Sequence, residues 1–189
     1  MNQIAIDGRT IGPDQPPYVI AELSANHNGN LETAFRIIDA AKQAGADAVK
    51  IQTYTADSMT IDGDGEEFLI RGGLWDGYRL YELYRRAQTP YEWHADLFAK
   101  AREVGIVLFS TPFDEDAVDF LEAFDPPAYK IASFEATDLP LIARVAGTGK
   151  PMILSTGMST MGQIRHAVSL LDGDRLLLAH STSSYPCQP

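Results

Sequence analysis

Apolar residues along this chain fall into short contiguous blocks, and between the blocks they recur three and four positions apart with polar residues in the gaps. The first pattern suits a strand buried on both faces and the second an amphipathic helix. Strands are thus predicted over residues 18–24, 48–54, 106–113, 128–133, 152–156 and 176–181, with helices over 31–44, 91–103, 115–124, 139–145 and 161–171. In the first helix Ala34, Ile37, Ile38 and Ala41 make one stripe, and Gly45 supplies the stop. Strands alternating with helices imply a parallel sheet with the helices as crossovers. Ahead of this series Ile4, Ile6 and Ile11 alternate around Asp7, Gly8 and Arg9, which predicts a hairpin within residues 1–16 that plugs one end of the sheet.

The expected fold class is α/β, of the TIM (β/α)8-barrel type, with residues 17–189 forming one domain. A complete barrel of this kind takes about 250 residues and eight strands. The pattern here stops just after a sixth strand, so the expectation is a barrel truncated at that point, without its last two strands and with two unpaired edges. Residues 56–89, rich in Gly, Tyr and acidic side chains, interrupt the second repeat as an unusually long loop, and long βα loops carry function.

Against that background two lysines stand out, Lys50 in AVKIQTY at 48–54 and Lys130 in AYKIAS at 128–133. An ammonium inside an apolar strand is costly unless an anion meets it. Residues two apart in a strand share a face, so Lys50, Gln52 and Tyr54 point one way, as do Lys130, Ala132 and Phe134. At the C-terminal strand ends of a barrel such residues meet over the packed interior. Glu22, Lys50, Gln52, Ser110, Thr111, Lys130, Ser133, Glu135, Ser155, Thr156, Ser183 and Tyr185 all fall there. Two ammoniums with an amide and several hydroxyls suit a phosphate or carboxylate ligand. The competing explanation is that each lysine snorkels to water or pairs with a neighbouring acid such as Glu135, and that Glu22 is only the counter-ion of a lysine.

The remaining polar residues say less. His27 and Asn28 precede a helix start at Asn30 and read as a loop turn with an N-cap. His94 and His166 lie on predicted helices and read as surface residues, and the four histidines make no metal-ligand spacing. Gly157 can let backbone amides approach a phosphate. Trp75, Tyr78, Tyr81 and Tyr84 either wall a sugar site or pack within the insert.

A net charge of −11 argues against nucleic acid as a partner, and no apolar run is long enough to span a membrane. One cysteine, Cys187, forms no internal disulfide, and the N-terminus lacks the regions of a signal peptide, so a cytoplasmic setting is expected.

Six segments, IAELSANHNG at 20–29, AGADAVKIQTY at 44–54, FSTPF at 109–113, YKIASFE at 129–135, LSTGM at 154–158 and STSSYP at 181–186, together resemble the sialic acid synthase family. Within it, GLWDGYRLYELY at 73–84 and TPYEWH at 89–94 are similar to the pseudaminic acid branch. The resemblance implies condensation of phosphoenolpyruvate with a 2,4-diacetamido-2,4,6-trideoxy hexose, giving a nine-carbon 2-keto acid and inorganic phosphate. Lys50, Gln52, Thr111, Lys130, Ser133, Ser155 and Ser183 would hold the phosphoenolpyruvate, Glu22 and Glu135 would serve catalysis, and Tyr185 would lie near the sugar. It also implies a divalent manganese or magnesium ion, a homodimer, and a C-terminal antifreeze-like domain. The family's two metal-binding histidines and that domain lie beyond the matched segments, so the 189-residue chain alone is expected to be inactive or nearly so. The alternatives are an N-acetylneuraminate or legionaminate synthase, a Schiff-base aldolase using Lys130, and a non-catalytic phosphate or sugar binder.

Overall fold

A computed structural model describes residues 3–171 and 173–182. Ser183, Tyr185 and Cys187 lie outside the described residues. The chain opens with the antiparallel pair β1 (Ile4–Ile6) and β2 (Arg9–Ile11). Six strands follow in one parallel sheet: β3 (Ile20–Glu22), β4 (Ala48–Thr53), β5 (Val107–Pro112), β6 (Tyr129–Ile131), β7 (Met152–Ser155) and β8 (Leu176–Ala179). Their spatial order is their chain order, every neighbouring pair is parallel, and helices make the crossovers. Such winding curls the sheet, and the result is six strands of a (β/α)8 barrel.

The helices are α1 (Leu31–Gln43), α2 (Ala56–Met59), α3 (Leu80–Ala87), α4 (His94–Val104), α5 (Glu115–Glu122), α6 (Leu139–Gly147) and α7 (Met161–Ser169). Asn30 caps α1 as its sequence predicts, accepting from the Thr33 N–H at 2.8 Å. Gly105 ends α4 in a left-handed conformation, φ +70°, which a side chain would resist. The insert is not one open loop: it holds α2, α3 and two 3-10 turns.

Alternation within the strands divides the apolar residues into two cores. Val49, Ile51, Leu108, Tyr129, Ile131 and Leu154 face outward onto Ala34, Ile38, Leu97, Val118, Leu121 and Ile142 of the helices. Each fully buried aliphatic side chain in such a layer contributes roughly 1.5–3 kcal/mol. Ala48, Phe109, Ala128 and Ile153 face inward and meet Ile6 of the hairpin, so the hairpin does close the end at which the strands begin. Arg9 fixes it there, pairing with Asp47 and donating to the Pro17 carbonyl at 2.9 Å.

Several boundaries differ from expectation. The strand predicted over 18–24 stops at Glu22, because the Leu23 and Ser24 N–H groups both donate to the single Lys50 carbonyl, at 3.0 and 3.3 Å, and end the ladder. The strand predicted over 128–133 stops at Ile131, and Ser133 opens a 3-10 turn, Phe134–Thr137, that throws Phe134 into solvent. Phe134 therefore does not share the face of Lys130.

Candidate active site

Above the inner apolar layer the same faces of the strands turn polar. Glu22 is the register partner of Lys50, Lys50 stands beside Phe109, and Lys130 beside Ile153. Both amines thus project to the side of the sheet that holds Phe109 and Ile153. Each is met by a hydroxyl from the next strand: Lys50 Nζ donates to Thr111 Oγ1 at 3.0 Å, and Lys130 Nζ to Ser155 Oγ at 2.5 Å. Lys50, Thr111 and Ser155 are buried.

The two ammoniums are balanced differently. Lys50 Nζ lies 2.9 Å from Glu22 Oε2, an oxygen that also accepts from Ser24 Oγ at 2.9 Å. Glu22 is therefore a counter-ion, as the competing explanation held, yet its side chain remains 51% exposed and open to a ligand. Lys130 has no carboxylate within salt-bridge distance among the described residues and gives its other bond to the Ile131 carbonyl at 2.9 Å. Burial, and then the charge of Lys50, push its pKa down to about 8, against the pull of Glu22 and Glu135. An amine so placed is a cation short of an anion.

Glu135 follows on the 3-10 turn after β6. Its Oε2 is buried without a hydrogen-bond partner, and burial, then the charge of Asp138, raise its pKa, opposed by its own backbone N–H and Lys130. Nearby, Tyr54 at the end of β4 packs edge-on against Tyr84 of α3 at 5.9 Å and Phe113 at 5.2 Å. The Glu135 charge adds to burial in raising the Tyr84 pKa, which puts this ring within its field.

The NeuB family profile matches residues 37–189. The chain belongs to the NeuB family. It is 51% identical over 176 residues to a pseudaminic acid synthase of Campylobacter jejuni, covering 92% of this chain and 51% of that protein. It is 34% identical over 182 residues to an N,N'-diacetyllegionaminic acid synthase of Legionella pneumophila, covering 93% of this chain and 51% of that protein. The crystal structure of an N-acetylneuraminic acid synthetase from Leptospira borgpetersenii superposes with a TM-score of 0.84 at 29% identity, over 98% of this chain and 61% of that one. The chain spans about half the length of the curated relatives it matches.

On this NeuB-family half-barrel the residues expected at the site separate into groups. Glu22, Lys50 and Thr111 form one bonded set and Lys130 with Ser155 a second, and Gln52 continues the face of Lys50. Ser133 and Glu135 stand on the turn after β6. Thr156 is engaged with the backbone of β8, its hydroxyl donating to the Ala179 carbonyl at 3.1 Å. Ser110 does not belong to the site. It is the register partner of Ile51, and its hydroxyl lies 2.7 Å from Thr53 Oγ1 on the helix side of the sheet. The parity of β5 carried this signal, since Ser110 and Thr111 are adjacent and face opposite ways.

His94 is the other correction: it is fully buried, not on the surface. Its Nδ1 lies 3.2 Å from both the Pro90 and the Tyr91 carbonyls, which only accept, so Nδ1 carries the proton and Nε2 accepts from Thr53 Oγ1 at 2.8 Å. Ser110, Thr53 and His94 thus tie β5, β4 and α4 together behind the site. His27 is also buried, with Nδ1 accepting from the Gly29 N–H at 3.0 Å and its ring edge-on to Trp93 at 5.3 Å. It anchors the loop, as its place before the Asn30 cap suggests. His166 is exposed as expected.

The aromatic group of the insert divides. Tyr84 faces the strand ends, Tyr81 donates to Asp57 at 3.0 Å, Arg86 lies over Tyr78 at 5.4 Å, and Trp75 is half exposed. Among the described residues no group of three or more His, Cys, Asp or Glu side chains can hold a metal ion.

Proposed function

We propose that this chain carries the enolpyruvate-binding half of a nonulosonic acid synthase, which condenses phosphoenolpyruvate with a 2,4-diacetamido-2,4,6-trideoxy hexose to give pseudaminic acid and phosphate. The observation that carries this reading is the pair Lys50 and Lys130, projecting from one face with Thr111 and Ser155 bonded to their amines. Phosphoenolpyruvate has two anionic ends, and two cations, each with a hydroxyl of the next strand at its amine, match a phosphate and a carboxylate. The deficit of negative charge around Lys130 makes it the natural seat of the phosphate.

In the reaction the enol carbon C3 attacks the sugar aldehyde carbon, the new C–C bond forms, and positive charge develops at C2. Water adds to C2, and the tetrahedral intermediate collapses with cleavage of the C–O bond to phosphate, leaving the 2-keto acid. In this reading the Glu22 carboxylate, half exposed beside Lys50, stabilises charge at C2 and takes a proton from the attacking water. Glu135, whose burial favours the protonated acid, gives a proton to the aldehyde oxygen in this reading. Lys50, Lys130, Thr111 and Ser155 hold the anion until collapse without reorganising. Gln52, Ser133, Ser183 and Tyr185 complete the contacts in this reading, Tyr185 on the sugar side.

A divalent ion, manganese or magnesium, belongs to the family resemblance as an aldehyde-polarising group. The described residues do not assemble its ligands. A homodimer in the cytoplasm is part of the same reading. No helix among the described residues is long and apolar enough to cross a membrane. The pseudaminic branch is favoured by identity, 51% against 34% for the legionaminic relative.

The test is phosphate release by the full-length protein from phosphoenolpyruvate with three acceptors: the altro-configured diacetamido trideoxy sugar, its manno-configured isomer, and N-acetylmannosamine. Turnover with the first alone is expected. Preference for either other acceptor would move the protein to another branch, and no release with any acceptor would refute the reading.

A further inference from the structure

Ser24 occupies a conformation that a serine does not choose. Its φ is +45°, in the left-handed region where a Cβ crowds the following carbonyl and where glycine is the ordinary occupant. The turn it starts is closed by the Asn26 N–H on the Leu23 carbonyl at 2.9 Å, and its own N–H shares the Lys50 carbonyl with that of Leu23. None of these bonds uses the side chain, so glycine would make the same turn with less strain. What the side chain does is reach back two residues and donate to Glu22 Oε2 at 2.9 Å, the oxygen that faces Lys50 Nζ at the same distance.

We infer that Ser24 is a positioning residue: its hydroxyl pins one oxygen of the Glu22 carboxylate against Lys50, so that the other oxygen is presented to substrate in one orientation. Two donors on a single oxygen from different directions remove the carboxylate's freedom to rotate. With Lys50 alone, a half-exposed glutamate has several rotamers that keep an ion pair. The pin also keeps Glu22 from closing over Lys50 with both oxygens, which would spend the cation that phosphoenolpyruvate needs. The role assigned to Glu22 in catalysis rests on the function proposed above, whereas the fixed carboxylate does not.

The test is Ser24→Gly in the full-length protein, which retains the turn and removes the hydroxyl. Melting temperature is expected to hold or rise, while kcat falls roughly ten- to hundredfold, the range for losing one hydrogen bond to a charged group, and KM for phosphoenolpyruvate stays within about twofold. In a Glu22→Ala background the same substitution is expected to have no further effect on kcat. Wild-type kcat in Ser24→Gly, or an equal loss in the Glu22→Ala background, overturns the inference. A crystal structure of Ser24→Gly reads the same point without turnover, so it decides even where the proposed reaction fails. A turned or multiply oriented Glu22 carboxylate supports the pin, and a single unchanged orientation overturns it.

Discussion

Lys130 Nζ lies 2.5 Å from Ser155 Oγ, bridging β6 and β7 at the boundary between the inner apolar layer and the polar layer above it. No acid closes on that amine from the described residues, so its charge is held at the expense of stability. Lys130→Met is therefore expected to abolish phosphate release from the full-length protein while leaving the fold intact. Burial of the ammonium penalises the folded state at pH below about 8, and the penalty is relieved as the pH rises toward the ordinary 10.5. That displacement corresponds to at most about 3 kcal/mol. Urea unfolding at pH 7 should show the variant as stable as the parent or more so, less what the orphaned Ser155 hydroxyl costs.

The same amine sets a pH dependence for ligand binding. In the free protein Lys130 is cationic below about 8 and neutral above it, so affinity for phosphoenolpyruvate should weaken as the pH rises through that value. Calorimetric titration at successive pH values checks this. Affinity that is flat from pH 7 to pH 9.5 would remove Lys130 from the phosphate.

A lowered amine pKa is also what a Schiff-base lysine needs, and chemistry separates the two roles. Borohydride reduction in the presence of pyruvate is expected to leave Lys130 unmodified by mass spectrometry, because the proposed role uses its Nζ as a cation and forms no covalent bond to it. A stable adduct at Lys130 would favour the aldolase.

Behind the sheet, Thr53→Val should destabilise the protein by about 1–3 kcal/mol, since it leaves both His94 Nε2 and Ser110 Oγ with a lost partner in a buried place. Burial lowers the His94 pKa from its ordinary 6.5, so the unfolded chain binds the extra proton first. Stability from the neutral ring is complete above 6.5 and is lost as the pH falls below it. His94→Asn should flatten that acid limb in thermal melts across pH 4.5 to 7.

The alternation of blocks and stripes made the parallel strands and their crossover helices legible in the sequence, because strands buried on both faces read as contiguous apolar blocks. Lys50 and Lys130 were legible for the opposite reason, as charges where the pattern wants none. What escaped the sequence depends on partners far apart in the chain. His94 looks like any polar residue at a helix start until Thr53, 41 residues earlier, is placed behind it. The exit of the chain from the sheet at Ile131, which sends Phe134 outward, and the left-handed turn at Ser24 are decided by loop closure, and neither leaves a periodic trace.

Lys50 is gripped at both ends of its residue, its carbonyl by the Leu23 and Ser24 N–H groups and its amine by Glu22 and Thr111. The loop after β3 is therefore tied to this one residue through both its backbone and its ammonium. A lesion well outside the pocket, such as His27→Ala, which unseats the ring that accepts from Gly29, would be transmitted through that tie and register as weaker anion capture.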